Sequence, residues 1–117
     1  MTQKTQSTNN EPVFTYHHPD GSTQEVVFVV YTYVYNGNLY VGLEDARTGE
    51  TFAEITRNPT KLDGHIAHIK NVDENEGMVE FLIDNKIGIL LGSMEERYPL
   101  FMFNPSKLAE VNTFKQK

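Results

Sequence analysis

At 117 residues the chain has the size of one domain, with room for a genuine core but not for two. It contains no cysteine, which removes disulfides, thiolate metal sites and a cysteine nucleophile, and fits a reducing cytoplasm. The formal net charge is −6 and the basic residues are scattered from Lys4 to Lys117, so direct binding to a nucleic-acid phosphate backbone is disfavoured. No apolar run reaches the roughly 18 residues of a membrane span, and the polar N-terminus has no signal-peptide pattern. The expectation is a cytoplasmic protein that contacts neither membrane nor nucleic acid.

Residues 1–10 are mostly Thr, Gln, Ser and Asn, without apolar periodicity, and read as a disordered tail before a single domain over 11–113. Residues 13–17 alternate weakly and lead to the turn tripeptide Pro19-Asp20-Gly21, which predicts a short edge strand. From 26 to 35 nearly every residue is β-branched or aromatic, which predicts a long interior strand. Asn36-Gly37 then favours a two-residue type I′ turn, because both residues tolerate positive φ. That turn pairs Tyr35 with Asn38. It places Val34/Leu39, Thr32/Val41 and Val30/Leu43 on an aliphatic face, with Tyr33/Tyr40, Tyr31/Gly42 and Val29/Glu44 on a tyrosine face. A further turn at 46–49 brings back one strand over 50–57, with Phe52 near Leu43 and Ile55 near Tyr40. The product is a three-stranded meander.

Asn58-Pro59 and Asp63-Gly64 bracket a loop. Residues 65–70 suit a strand by their length, although Ile66 and Ile69 would also share a helical face. The span 73–87 predicts the principal helix: Asp73 and Glu76 form a capping-box arrangement, and Met78, Val79, Leu82 and Ile83 make an apolar stripe with Phe81 at its edge. Gly88 supplies a left-handed stop. Strands follow at 89–91 and 99–103, and Asn104-Pro105 opens a short helix from 106 to about 111, after which the tail frays. The predicted fold is α+β: a mainly antiparallel sheet of about six strands built on the meander, one principal helix packed on a face, and a short C-terminal helix.

Four histidines invite a metal hypothesis. His65 and His68, with Asp63 or Asp73, would be its ligands, but two histidines three apart on a strand oppose each other, and the spacing matches no zinc pattern. There is no nucleophile elbow, phosphate-binding glycine loop or HExxH, so neither catalytic nor metal residues are assigned and no cofactor is expected. Asp73, Glu74, Glu76, Glu80 and Asp84 occur with no basic residue between them. On a rigid helix such a row could imitate a phosphate backbone, or it could be a solvated face whose acids favour the helix N-terminus. Tyr31, Tyr33, Tyr35 and Tyr40 could form a recognition surface, or the floor on which the helix packs.

From Leu39 onward the landmarks are Leu39-Tyr40-Val41, Glu44-Asp45, Gly49-Glu50, Phe52-Ala53-Glu54-Ile55-Thr56 and Asn58. They continue as 78–82, Asn85, Ile87-Gly88, Gly92, Tyr98-Pro99-Leu100-Phe101, Phe103-Asn104 and Lys107-Leu108. Over 39–110 the order and spacing of these pieces resemble a family of small acidic bacterial proteins, a domain of unknown function carried on conjugative elements, plasmids and phages. The chain departs from that family in the charged loop before Tyr98 and in longer N-terminal strands. The resemblance implies a setting, an accessory mobile-element gene in a bacterial cytoplasm, and no activity or catalytic residue. The expected function is a non-enzymatic module that binds a protein partner, in its sharper form an antagonist of a DNA-acting defence enzyme by acidic mimicry. A small metal-dependent enzyme using His65 and His68, and a structural homodimer, are the alternatives.

Overall fold

The β-branched run forms a ten-residue strand, Thr23–Thr32, in a computed structural model that describes residues 12–113 apart from 35, 59, 60, 63 and 94. This strand is β2. It follows β1 (Phe14–His17) and precedes β3 (Leu39–Asp45) and β4 (Thr51–Glu54) in an antiparallel four-stranded sheet ordered β1-β2-β3-β4. A second antiparallel four-stranded sheet contains β5 (Thr56–Arg57), β6 (Ile66–Ile69), β7 (Gly88–Leu90) and β8 (Leu100–Phe103), ordered β5-β6-β8-β7. Two short helices, α1 (Met78–Asp84) and α2 (Pro105–Val111), complete an α+β fold. The single meander-based sheet is therefore corrected to two. The expected tail at 1–10 and the Tyr35 pairing lie outside the described residues.

The sheets part at Ile55. Its N–H donates to the Val41 carbonyl (3.0 Å) and its own carbonyl accepts from Lys70 N–H (2.8 Å), so this fully buried residue bonds into both sheets. The next residues, Thr56 and Arg57, pair with Ile69 and His68. The single strand expected over 50–57 is thus two strands. Between Leu43 and Glu44 the β3–β4 register shifts by one position, leaving Phe52 of β4 as the extra residue of a bulge. Leu43 consequently faces Ala53 rather than Phe52, and Ile55 lies against Val41 rather than Tyr40.

The β2–β3 hairpin also departs from its expected register. Thr32, Val30 and Phe28 face Leu39, Val41 and Leu43, while Tyr31, Val29 and Val27 face Tyr40, Gly42 and Glu44. Tyr33 N–H donates to Asn38 O and Gly37 N–H to Tyr33 O, both at 2.8 Å, closing a loop longer than two residues. Asn38 is only 5% exposed and needs partners. Its amide donates to Asn58 Oδ1, and its own Oδ1 accepts from Leu62 N–H (2.9 Å). These bonds tie the loop to the segment leading into the second sheet. Because the slip is two residues, each side chain keeps its face even though each partner changes.

Both sheets and both helices share one core. It includes Val26, Phe28 and Val41 from the first sheet, Ile69, Phe101 and Phe103 from the second, and Met78, Leu82, Leu108 and Val111 from the helices. Helix α1 lies on the aliphatic face: the Phe81 ring is 5.1 Å from Tyr16 and stacks on Phe28 at 6.0 Å. It is also shorter than the span 73–87. Asp73 (φ 58°) opens a separate 3-10 turn, Asp73–Asn75, and Gly77 (φ 92°) breaks the helix before Met78. The capping box does not form; Asn71 Oδ1 instead accepts from Val79 N–H (2.9 Å). At the other end Ile87 N–H reaches Leu82 O and Lys86 N–H reaches Ile83 O, a Schellman closure with Lys86, not Gly88, in the left-handed position (φ 61°). Gly88 is needed for a different reason, since a Cβ there would collide with the Met102 carbonyl. Ile83, expected in the apolar stripe, is 43% exposed.

Helix α2 begins as expected, with Asn104 Oδ1 accepting from the N–H groups of Ser106 and Lys107. Asn112 and Thr113 after it are held rather than frayed, and the rest of the expected tail, 114–117, lies outside the described residues. Thr113 donates its N–H and hydroxyl to Phe28 O (2.9 and 2.8 Å), and Asn112 Oδ1 accepts from Val30 N–H (2.9 Å). The far half of the β2 edge is therefore covered by this segment, and the near half by β1.

Candidate functional site

Strand β1 pairs with β2 along one side, Phe14 with Val26 through His17 with Thr23. His18 N–H donates to Ser22 O (2.8 Å), which marks His18/Ser22 as a hydrogen-bonded pair. Bonded pairs alternate in an antiparallel ladder, so Phe14 and Tyr16 direct their main-chain groups to β2 while those of Thr15 and His17 point away. On the opposite edge of β2, Ala46 N–H bonds Glu25 O (2.9 Å), as this parity requires. Among the described residues nothing bonds the outward N–H and C=O groups of Thr15 and His17.

The side chains of β1 divide in the same way. Phe14 and Tyr16 turn to the core, where Tyr16 is 1% exposed and meets Phe52 and Phe81 edge-on. The Tyr16 hydroxyl donates to Glu76 O (3.3 Å), which ties the turn before α1 to this strand. Between the two elements runs a groove of about 870 Å³. Val13, Thr15 and His17 line it from the strand, and Glu76, Glu80 and Asp84 from the helix side. Among the described residues no Lys or Arg lines it, and the three carboxylate residues are exposed. Burial raises the Tyr16 phenol above its ordinary pKa, and the charge of Glu80 adds to that.

Asp73 does not join this row. It turns toward Arg97 (3.9 Å), with both side chains about two-thirds exposed, an arrangement worth little in water. It lines a separate hollow beside His18 and Phe52. Of the acidic residues of this segment, Glu76, Glu80 and Asp84 line the groove while Asp73, at a left-handed φ, opens the 3-10 turn ahead of it; the Glu74 side chain lies outside those described.

The tyrosines gather on the other face of the sheet, away from α1. Tyr31 and Tyr40 stack at 4.3 Å, Tyr33 meets Tyr40 edge-on at 5.5 Å, and the Tyr33 hydroxyl lies 3.4 Å from Thr56 Oγ1. Tyr40 lies over Gly42, where a Cβ would come within 2.6 Å of its hydroxyl. Burial, with Tyr31 and Glu54 nearby, holds the Tyr40 phenol well above its usual range. Among the described tyrosines of this face Tyr31 is 43% exposed, Tyr33 is half-buried and Tyr40 is 7% exposed, while Tyr35 lies outside the described residues. The helix does not pack on this face.

His68 Nδ1–H donates to the Tyr98 carbonyl (2.9 Å), and His65 sits exposed in the turn before β6. Among the described residues no three His, Asp or Glu side chains converge on a metal-sized space; Asp63 lies outside them. No helix described is long and apolar enough to cross a membrane.

No protein-family model, curated protein or solved structure matches the chain.

The unpaired strand edge is the part of this groove that residue types did not announce. Its signal was the weak alternation of Phe14 and Tyr16 with Val13, Thr15 and His17, which marks an edge strand but does not say what stands beside it.

Proposed function

We propose that the protein is a non-enzymatic binding module that takes a protein partner in the groove between β1 and α1. The observation that carries this reading is the wall formed by Glu76, Glu80 and Asp84, exposed and with no basic lining residue among the described residues, facing a strand edge whose main-chain groups no described residue bonds. Concave walls of one charge sign focus the field and draw oppositely charged partners. The resemblance of 39–110 to small acidic mobile-element proteins supports an accessory role in a bacterial cytoplasm. A DNA-acting defence enzyme is the sharper candidate partner: its basic groove would meet Glu80 and Asp84, one helical turn apart on a helix braced by the core.

The test compares the wild-type chain with an E76Q/E80Q/D84Q variant in a pull-down from a host lysate and in inhibition assays on restriction or interference complexes. The wild type retains a partner whose binding weakens with added salt, and the variant loses about tenfold or more in affinity with its thermal stability unchanged. Retention of the same partner at undiminished affinity by the variant refutes the acidic groove as the binding surface.

A further inference from the structure

We propose that the outer edge of β1 accepts an extended peptide as an added strand, and that this peptide carries Lys or Arg at alternate positions. The inference rests on reading the groove as a protein-binding site and names the chemistry of its partner. Strand addition needs a row of free main-chain donors and acceptors with space beside it. Thr15 and His17 present both groups outward, and the groove lies on that side. An added strand would sit about 4.8 Å from β1, inside the groove.

The requirement for alternating charge follows from geometry. Successive side chains of the added strand point to opposite faces. One set continues the face of Phe14 and Tyr16, toward α1, and meets Glu80 and Asp84; the other continues the exposed face of Thr15 and His17. Alternate residues of a strand are about 6.7 Å apart, and residues four apart on a helix about 6 Å. Two basic side chains two positions apart therefore match two carboxylates four positions apart. Pro12 and Pro19, which lack an N–H, flank the docking stretch and limit its length.

Other occupants fit less well. Two copies pairing β1 to β1 would bring two acidic walls together. Residues 1–11, which lie outside the described residues, hold a single basic side chain, Lys4, and end in Glu11.

The experiment uses the full chain and an eight-residue peptide alternating Lys with Thr, followed by NMR amide exchange and fluorescence anisotropy. Three controls accompany it: the same peptide N-methylated on the amides that face β1, a Glu-for-Lys peptide, and a Thr15→Pro variant. Proline at an edge position removes only the outward N–H and is tolerated there. The Lys peptide is expected to slow exchange at the Thr15 and His17 amides about tenfold, and to bind about tenfold more weakly to E80Q/D84Q and to Thr15→Pro. The N-methylated and Glu peptides should not bind. Slow exchange at Thr15 and His17 in the free chain would overturn the proposal, since the edge would already be occupied. Equal binding of the N-methylated peptide would overturn strand addition while leaving the acidic groove standing. Equal binding of the Lys peptide to E80Q/D84Q would remove both.

Discussion

Tyr40 shows how one side chain couples packing to pH. Its ring lies over Gly42 and between Tyr31 and Tyr33, so ionising its phenol would place a charge where water cannot solvate it well. A phenol whose folded-state pKa is raised above the unfolded value of 10.0 favours the protonated native state. The associated stability is fully present below pH 10 and is lost as pH rises through the folded-state pKa. Tyr40→Phe should therefore flatten the fall in stability above pH 10, measured as the urea midpoint from pH 8 upward. Parallel wild-type and variant curves would contradict this account. The buried Tyr16 retains a similar dependence, so the variant curve still declines.

At the scale of the element, α1 shows which local signals prevail. Asp73 and Glu76 have the spacing of a capping box, yet the left-handed Asp73 and Gly77 take the chain out of helical geometry between them. Asn71, seven residues before the first helical residue, supplies the acceptor to Val79 N–H. Asn71→Ala should cost about 1 kcal/mol of stability, the usual loss for a cap, whereas Asp73→Gly, which removes the carboxylate and suits the left-handed φ at that position, should change it by less than about 0.5 kcal/mol. Chemical denaturation of the two variants checks this, and the reverse order would restore Asp73 as the cap. The unequal effect matters for function because the cap on α1 holds Glu80 and Asp84 against the groove.

For the whole molecule, two sheets could mean two folding units, but the core does not divide between them. Ile55 bonds into both sheets, Asn38 and Asn58 join the hairpin to the segment leading into the second, and Asn112 and Thr113 return to β2 after the last helix. One cooperative transition is expected, with far-UV and near-UV circular dichroism giving the same midpoint in urea. Separate midpoints would show that the sheets unfold independently. This integrity lets a binding groove rest on a two-turn helix, since α1 is held by Phe28, Phe81 and Tyr16 rather than by its own length.

Residue order alone determined the elements whose cause is local. The β-branched run of β2 and the Asn104-Pro105 opening of α2 were legible, as was the short edge strand at β1, because side-chain shape, φ preference and period act over a few residues. The parity of the hairpin faces was legible too, and it survived a register slip of two. Tertiary structure decided the register, through the need of buried Asn38 for partners at Asn58 and Leu62. It also decided the change of sheet at Ile55, the face that α1 covers, and the meeting of Glu76, Glu80 and Asp84 with the open edge of Thr15 and His17. Each of these depends on burial and hydrogen bonding between residues far apart in the chain, which no local pattern encodes.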